Sequence, residues 1–279
     1  MNLQATLFDL SKVPHDDVLD ITEARLCLTL DRAAGHYSAL NGTAGFPTSA
    51  GTWVRLAWHR PAQVNAETLT GFEAALDLDQ VPRPIWRSAA TWHDDNRDVV
   101  WRADEMTQVT DPAVSATGFV TTDPGLPDTW WADLRTASKL LAAHPTRRVC
   151  MTQEHLSRRI AEVYGDELDT TITAWATVHG DLGWANVCAP TLTLIDWESW
   201  GRGPAALDAA TLWVASLQVP SLAAKVLEVF DEVLSTRTGQ LVRLMQCANV
   251  ARAFSRTSRK GPLTDIMAAH ATELLAELT

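Results

Sequence analysis

The sequence lacks the features that mark membrane proteins, secreted proteins and disulfide-bonded proteins. No stretch approaches the roughly 18 consecutive apolar residues that a membrane-spanning helix requires, and the first residues show no basic region followed by an apolar run. The four cysteines, at positions 27, 150, 188 and 247, are too scattered for a zinc site or a C-x-x-C redox pair. We therefore expect a cytoplasmic protein with no membrane partner.

Positive charge is also scarce. Lysine and arginine number 23 against 34 aspartate and glutamate residues, which gives a formal net charge of −11. Because such a chain repels a phosphate backbone, we expect no nucleic-acid partner, whereas a cationic small molecule would be attracted. The remaining composition, with 46% hydrophobic residues in a chain of 279, is that of a globular protein with one large domain or two lobes.

The hydrophobic pattern predicts a strand-rich first part and a helical second part. Trp53 to Trp58 alternates, with Val54 and Leu56 on one face and Arg55 on the other, which is typical of a strand. A second strand is predicted near residues 99–101, and a strand and tight turn in the glycine-rich residues 35–51. The predicted helices cover residues 15–32, 65–78, 129–143, 153–164, 203–218, 221–236, 239–256 and 263–278.

The segment from residue 179 to residue 198 carries the candidate chemistry. Residues 187–195 predict a tight hairpin centred near Thr191, and Asn186 and Asp196 lie equally far from that centre. An antiparallel hairpin would return both side chains to one end, where an amide oxygen and a carboxylate suit Mg²⁺ that bridges phosphates. Asp181, in a glycine-flanked loop, would lie beside the metal and could accept a proton from a substrate hydroxyl.

This segment resembles the catalytic loop of protein-kinase-like enzymes. His179-x-Asp181-x-x-x-x-Asn186 followed by Asp196 is similar to their catalytic loop and metal-binding aspartate. Gly180 after the histidine, and Trp-Glu after Asp196, make the sequence similar to the aminoglycoside phosphotransferase branch. The resemblance implies an α+β, protein-kinase-like two-lobed fold. Residues 1–109 would form a small, β-rich nucleotide-binding lobe, and residues 110–279 a larger, mainly helical catalytic and substrate-binding lobe.

The same resemblance implies a role for each residue of the motif. Asp181 would be the catalytic base, Asn186 and Asp196 would bind Mg²⁺, and His179 would support the loop. The nucleoside triphosphate that serves as co-substrate would be ATP or GTP, and the sequence does not decide between the two. The acceptor would be a hydroxylated small molecule.

One aspartate lies on a helix that is apolar nearly all round. The helix begins near residue 203, and its apolar surface predicts that it is buried. Asp208 is its only charge, so the carboxylate must accept hydrogen bonds. By the resemblance, this aspartate would hold backbone amides of the catalytic loop. The alternative is an aspartate in the first turn of a helix, stabilised by the free amides there.

The first part of the chain must supply the cation that kinases use to hold nucleotide phosphates. The family has a strand lysine there, but Lys12 is the only lysine before residue 139 and lies outside the strand region. Arg55 would take that role, with a planar fork for phosphate oxygens, although an exposed strand arginine fits the pattern as well. Kinases pair this cation with a helix glutamate. Glu67 and Glu73 compete, and we favour Glu73 because it lies near the edge of the apolar face.

Two further candidates concern the nucleotide. The glycine-rich stretch from Ser38 through Gly42 to residue 45 could cover phosphates with backbone amides, or form an ordinary hairpin. Met106 would lie at the hinge between the lobes, where adenine or guanine binds in the family.

Glu198 and Trp200 are the candidates for contact with the acceptor, through an amine and through ring stacking respectively. The resemblance suggests an aminoglycoside or another hydroxylated antibiotic, which would confer resistance by O-phosphorylation. Choline, sugars and homoserine, which the same family phosphorylates, are the alternative acceptors. A nucleotide-binding pseudokinase is the alternative without catalysis. A protein kinase is disfavoured because no activation segment separates residue 198 from the helix that follows.

Overall fold

A computed structural model describes residues 9–38, 42–64, 66–257 and 262–279. The chain forms two compact units. The first consists of Met1–Asp77 and Pro84–Thr110, and the second of Leu78–Arg83 and Asp111–Thr279. Residues 78–83 thus belong to the second unit, where the carbonyl oxygen of Pro82 accepts a hydrogen bond of 2.9 Å from the amide of Leu194.

The first unit is built on one antiparallel sheet. Its five strands occur in the order β1-β2-β3-β5-β4 across the sheet, so β5 lies between β3 and β4. The elements of this unit are α1 (Asp16–Leu26), β1 (His36–Ser38), β2 (Thr43–Pro47), β3 (Thr52–His59), α2 (Ala66–Leu69), α3 (Gly71–Ala74), β4 (Trp86–Asp94) and β5 (Val99–Thr107).

The two faces of this sheet differ in polarity, as the alternation in β3 predicts. One face is apolar and packs against α1. Its fully buried members include Val54, Leu56 and Trp101, which lie in one cluster with Val18 and Leu19 of α1. Removal of these side chains from water stabilises the unit, at about 1.5–3 kcal/mol for each large one. Arg55 of β3 and Arg102 and Asp104 of β5 lie on the opposite face.

The second unit is mainly helical. Its two short strands pair antiparallel, with Val178 opposite Gly201, and α6 follows the second of them directly. As whole residues, Asp208 and Thr211 of α6 are half-buried, and all other residues of the helix are buried, which agrees with its apolar sequence. The elements are α4 (Asp128–Ala143), α5 (Gln153–Tyr164), β6 (Trp175–Val178), β7 (Gly201–Pro204), α6 (Leu207–Ser216), α7 (Pro220–Val229), α8 (Asp231–Leu234), α9 (Arg237–Thr257) and α10 (Pro262–Leu278).

Several predicted element boundaries were wrong. The helix predicted over residues 15–32 ends at Leu26, because Cys27 adopts a left-handed conformation with φ of 54°. The single helix predicted over residues 65–78 is divided into α2, α3 and a short 3₁₀ turn, and Gly71, a poor helix former, lies at the break. Residue 65 lies outside the described residues. The start of the predicted helix 203–218 is instead the strand β7.

The strand predicted near residues 99–101 was too short, because β5 covers Val99–Thr107. The strand β4 was not predicted, because Pro82 and Pro84 lie shortly before its start and proline is unfavourable within a sheet. None of the helices in the described ranges combines the length and the low charge that would be needed to cross a lipid bilayer.

Candidate active site

The loop that carries Asp181 begins where β6 ends, and Gly180 allows its first turn. Gly180 has a φ of 88°, which residues with a side chain rarely adopt. A Cβ atom there would lie 2.4 Å from Sγ of Cys150 and 2.9 Å from the carbonyl oxygen of Ser199. Burial raises the pKa of the Cys150 thiol to about 12, so this thiol stays neutral. Glycine is therefore the only residue that fits this turn without displacing its neighbours.

Asp208 of α6 braces the same turn. Its Oδ2 accepts a hydrogen bond of 2.7 Å from the amide of His179, and its Oδ1 accepts one of 2.9 Å from the amide of Gly180. Burial raises the pKa of the Asp208 carboxyl, while His179 and the two amides act in the opposite direction. A carboxylate held between two loop amides fixes the backbone just before Asp181.

His179 connects the loop to the chain segment that carries Asp196. The imidazole is fully buried, and its Nε2 lies 2.9 Å from the carbonyl oxygen of Ile195. Its ring also meets Trp197 edge-on, with centroids 4.5 Å apart. Because Ile195 and Trp197 flank Asp196, these two contacts fix the segment on both sides of that carboxylate.

A cluster of tryptophans fixes the middle of the loop. Trp184 is fully buried and stacks on Trp130 of α4 at a centroid distance of 6.2 Å. Its edge meets Trp131, and its Nε1 donates a hydrogen bond of 2.9 Å to Oγ of Ser216 in α6. Such buried aromatic contacts add stability beyond the burial of area. The partners of Trp184 on α4 lie more than forty residues earlier in the chain, and no local sequence pattern indicates them.

Asn186 orients the carboxylate of Asp181. Its Nδ2 donates to the carbonyl oxygen of Asp181 at 2.7 Å and to Oδ2 of the same residue at 3.2 Å. The carboxylate is accessible to solvent, yet partial burial and the negative charge of Asp196 raise its pKa. Since the amide nitrogen of Asn186 is used in this way, its Oδ1 is the atom left to face a cation.

The hairpin forms with a register one residue away from the predicted one. Val187 pairs with Leu194, and the amide of Ile195 donates to the carbonyl oxygen of Asn186 at 3.0 Å. Asn186 therefore lies opposite Ile195 rather than opposite Asp196. Asp196 follows this pair with a φ of 66°, a strained conformation for a residue with a side chain. The predicted register, in which Asn186 lies opposite Asp196 about a centre at Thr191, was thus wrong by one residue. Both side chains nevertheless belong to the same end of the hairpin.

The oxygen atoms at this end of the hairpin suit a magnesium ion whose remaining ligands are water and substrate phosphates. In the described part of the chain, no three His, Cys, Asp or Glu side chains form a group that could enclose a metal. The candidates are one amide oxygen, from Asn186, and one carboxylate, from Asp196, with Asp181 beside them. Mg²⁺ in phosphate-transferring sites is bound by one or two such protein oxygens together with water and substrate phosphates. The residues present therefore fit Mg²⁺ in that role.

In the first unit, Arg55 and Glu73 do not form the ion pair that the resemblance to kinases predicts. Glu73 of α3 lies 3.6 Å from Nη2 of Arg102, a residue of β5 that sequence reasoning missed. Arg55 instead places its guanidinium carbon 5.1 Å from the centroid of the Phe72 ring. The alternation of β5 puts Arg102 on the same face as Arg55 and could have identified it.

The remaining nucleotide candidates lie in strands or beside them. Ser38 ends β1 and pairs with Thr43 of β2, so a hairpin forms there, while residues 39–41 lie outside the described residues. A Cβ atom on Gly42, whose φ is 63°, would lie 2.1 Å from Nε1 of Trp58, so this glycine permits a close approach. Met106 is buried near the end of β5 rather than in a loop, four residues before the first unit ends. The roles of these residues stay predictions.

Trp200 was wrongly predicted to stack on an acceptor. Its ring is only 3% exposed. The guanidinium carbon of Arg148 lies 5.1 Å from its ring centroid, and His144 meets it edge-on. The residue is therefore part of the packing. Glu198 is half-buried, and its backbone carbonyl oxygen accepts a hydrogen bond of 3.4 Å from Arg148.

Comparison with known proteins relates the fold to that of small-molecule kinases. No family model matches the sequence, and no curated protein matches it. Among solved structures, the amicoumacin kinase hAmiN, in complex with AMP-PNP and Ca²⁺, has a TM-score of 0.55 at 12% identity, over 95% of this chain and 96% of that one. The macrolide 2'-phosphotransferase MphH from Brachybacterium faecium has a TM-score of 0.52 at 14% identity, over 95% and 97%.

A choline/ethanolamine kinase family protein from Mesorhizobium loti has a TM-score of 0.50 at 11% identity, over 84% of each chain. These structural similarities extend along most of the chain. Because the sequence identities are only 11–14%, the similarities show the fold alone. The strand-rich unit and the larger helical unit agree with the predicted α+β architecture. The chain therefore has the two-lobed, kinase-like fold of these structures, as the catalytic-loop motif predicts.

Proposed function

We propose that this protein is a small-molecule kinase, which transfers the γ-phosphoryl group of ATP or GTP to a hydroxyl group. One observation carries the proposal. A loop braced by Asp208 presents Asp181, its carboxylate oriented by Asn186, beside the charge of Asp196. A base and two oxygen ligands for a cation are the groups that phosphoryl transfer requires, since catalysis there consists mainly of positioning and electrostatic stabilisation.

Asp181 would act on the acceptor. Its carboxylate accepts the proton of the acceptor hydroxyl as the oxygen attacks. A bond forms between this oxygen and the γ-phosphorus, and the bond from that phosphorus to the β,γ-bridging oxygen breaks. The hydrogen bond from Asn186 holds the carboxylate in one orientation. Partial burial and the charge of Asp196 raise the pKa of Asp181, which makes it a stronger base than an ordinary aspartate.

Asn186 and Asp196 would hold Mg²⁺. When bound, the ion supplies positive charge to the phosphate oxygens. Arg55 would bind nucleotide phosphates from β3 of the first unit, with Ser38 and Gly42 contributing from the hairpin before it and Met106 contacting the base. His179 would act only through the loop. The four free cysteines fit a reducing compartment, so we place the enzyme in the cytoplasm.

For the acceptor, we propose a hydroxylated antibiotic, of the aminoglycoside class or another. The similar folds include kinases whose names specify amicoumacin and macrolides as substrates. The net charge of −11 would attract a cationic acceptor, and Glu198 would meet an amine on it. The likeness to a choline/ethanolamine kinase family protein supports a metabolic amino alcohol as the second candidate.

The test is a coupled assay of nucleoside diphosphate release over aminoglycosides, macrolides, choline, sugars and homoserine, with ATP and GTP supplied separately. We expect Mg²⁺-dependent turnover that requires one class of acceptor, and mass spectrometry should show a product heavier by one phosphoryl group. Nucleotide binding without turnover on any acceptor would instead identify a pseudokinase.

A further inference from the structure

The chain between Asp196 and β7 links the two carboxylates of the candidate site. Asp196 has a φ of 66°, and a residue with a side chain keeps such a conformation only where its surroundings hold it. Three residues later, the carbonyl oxygen of Ser199 lies so close to the turn before Asp181 that a Cβ atom on Gly180 would be 2.9 Å from it. The position of residues 197–200 therefore determines where the carboxylate of Asp196 lies relative to that of Asp181.

Arg148 holds this segment on both sides of Ser199. Its Nε donates a hydrogen bond of 3.1 Å to the carbonyl oxygen of Trp200, and its Nη2 donates a longer one of 3.4 Å to the carbonyl oxygen of Glu198. The guanidinium carbon also lies 5.1 Å from the centroid of the Trp200 ring, which is buried. Hydrogen bonds from a charged donor are stronger than neutral ones, and a planar guanidinium makes several at fixed angles. One side chain thus fixes two carbonyl groups and one ring of the segment.

The backbone of Arg148 is itself fixed beside the catalytic turn. Its carbonyl oxygen accepts a hydrogen bond of 2.8 Å from the amide of Arg202 in β7, and the amide of Cys150 donates one of 3.0 Å to the carbonyl oxygen of Arg202. The thiol of Cys150 lies against Gly180, where it leaves no room for a Cβ atom. The guanidinium therefore extends from the same stretch of backbone that supports the turn before Asp181.

We infer that Arg148 is a positioning residue for the metal ligands. It holds residues 198–200 against the catalytic turn and so keeps the carboxylate of Asp196 in place beside that of Asp181. The inference rests on the proposed function, because it assumes that Asp196 binds Mg²⁺. In the proposed mechanism Arg148 touches neither the nucleotide nor the acceptor and acts through backbone carbonyl groups. Removal of a group that holds a metal ligand typically costs about 10- to 100-fold in metal affinity or activity.

The test is a titration of the full chain with Mn²⁺ in the presence of ADP or GDP, measured by electron paramagnetic resonance. We expect Arg148→Met, which keeps most of the apolar length of the side chain, to raise the Kd for Mn²⁺ by about tenfold or more. Arg148→Lys keeps the charge but not the planar fork, so its Kd should lie between those of the wild type and of Arg148→Met. Affinity for the nucleotide in the presence of a chelator should be unchanged in both variants, whereas a general loosening of the fold would weaken it.

Arg202→Met is the matched control. It removes a guanidinium whose carbon lies 4.8 Å from the centroid of the Trp175 ring, and it leaves the backbone hydrogen bonds to residues 148–150 in place. Its Kd for Mn²⁺ should equal that of the wild type, and thermal unfolding would verify that each variant is folded. If Arg148→Met failed to fold, Arg148→Lys alone would decide.

Wild-type Mn²⁺ affinity in Arg148→Met or in Arg148→Lys would overturn the inference. An equal loss of Mn²⁺ affinity in Arg202→Met would overturn it as well, and so would a matching loss of metal-free nucleotide affinity in Arg148→Met. Absence of nucleotide-dependent Mn²⁺ binding by the wild type would instead refute the proposed function itself.

Discussion

Replacement of Asp181 by alanine should lower kcat by about a hundredfold to ten-thousandfold, the range for loss of a general base. Affinity for the nucleotide should stay within about twofold, because in the proposed mechanism Asp181 acts on the acceptor and not on the phosphates. The measurement is steady-state kinetics with the acceptor found in the screen, together with calorimetric titration of the nucleotide.

Asp181→Asn is the matched control for shape, since it keeps the size of the side chain and loses its basicity. It should be as inactive as Asp181→Ala. If either variant retained activity close to that of the wild type, Asp181 would be removed from the role of base, and another group would have to accept the proton.

Gly180→Ala should have the largest effect on stability. The left-handed backbone costs about 1–2 kcal/mol for a residue with a Cβ, and the added carbon would lie 2.4 Å from Sγ of Cys150 and 2.9 Å from a backbone carbonyl oxygen. We expect a total loss of about 2–4 kcal/mol, which lowers the midpoint of thermal unfolding by roughly 5–15 °C. Turnover should fall as well, because the next residue is Asp181.

Gly183→Ala, in the same loop, is the control for this substitution. Its Cβ would lie 3.6 Å from the nearest atom, the carbonyl oxygen of Gly118, which is an ordinary contact. Its stability should remain within about 0.5 kcal/mol of the wild type. A Gly180→Ala variant as stable as Gly183→Ala would show that the turn relaxes freely and that the loop is not fixed by its backbone.

The sequence predicts the second unit better than the first. Three signals combine there: the His179 motif, the continuous apolar surface of α6 and the single charge on it, Asp208. Each depends on local pattern, and the hydrogen bonds from the loop amides to Asp208 follow from the need to satisfy a buried carboxylate. The register of the hairpin was missed by one residue, because register depends on the turn and on pairs that composition does not specify.

The contacts of the first unit could not be predicted in the same way. The strand period correctly placed Arg55 on the polar face, but the partner of each charge depends on which strands are neighbours. The position of β5 between β3 and β4 brings Arg102 and Asp104 beside β3, and this order is not visible in the sequence. Trp184 is a similar case, because its partners are two tryptophans on a helix far away in the chain.

We propose that Asn186 and Asp196 together bind a divalent cation with the nucleotide. Electron paramagnetic resonance of Mn²⁺, used in place of Mg²⁺, tests it most directly in the full chain with ADP or GDP. The account predicts a bound Mn²⁺ signal that requires the nucleotide and is lost in Asn186→Ala and in Asp196→Ala, but persists in Asp265→Ala, an exposed aspartate of α10. Mn²⁺ binding at wild-type strength in Asp196→Ala would contradict the account.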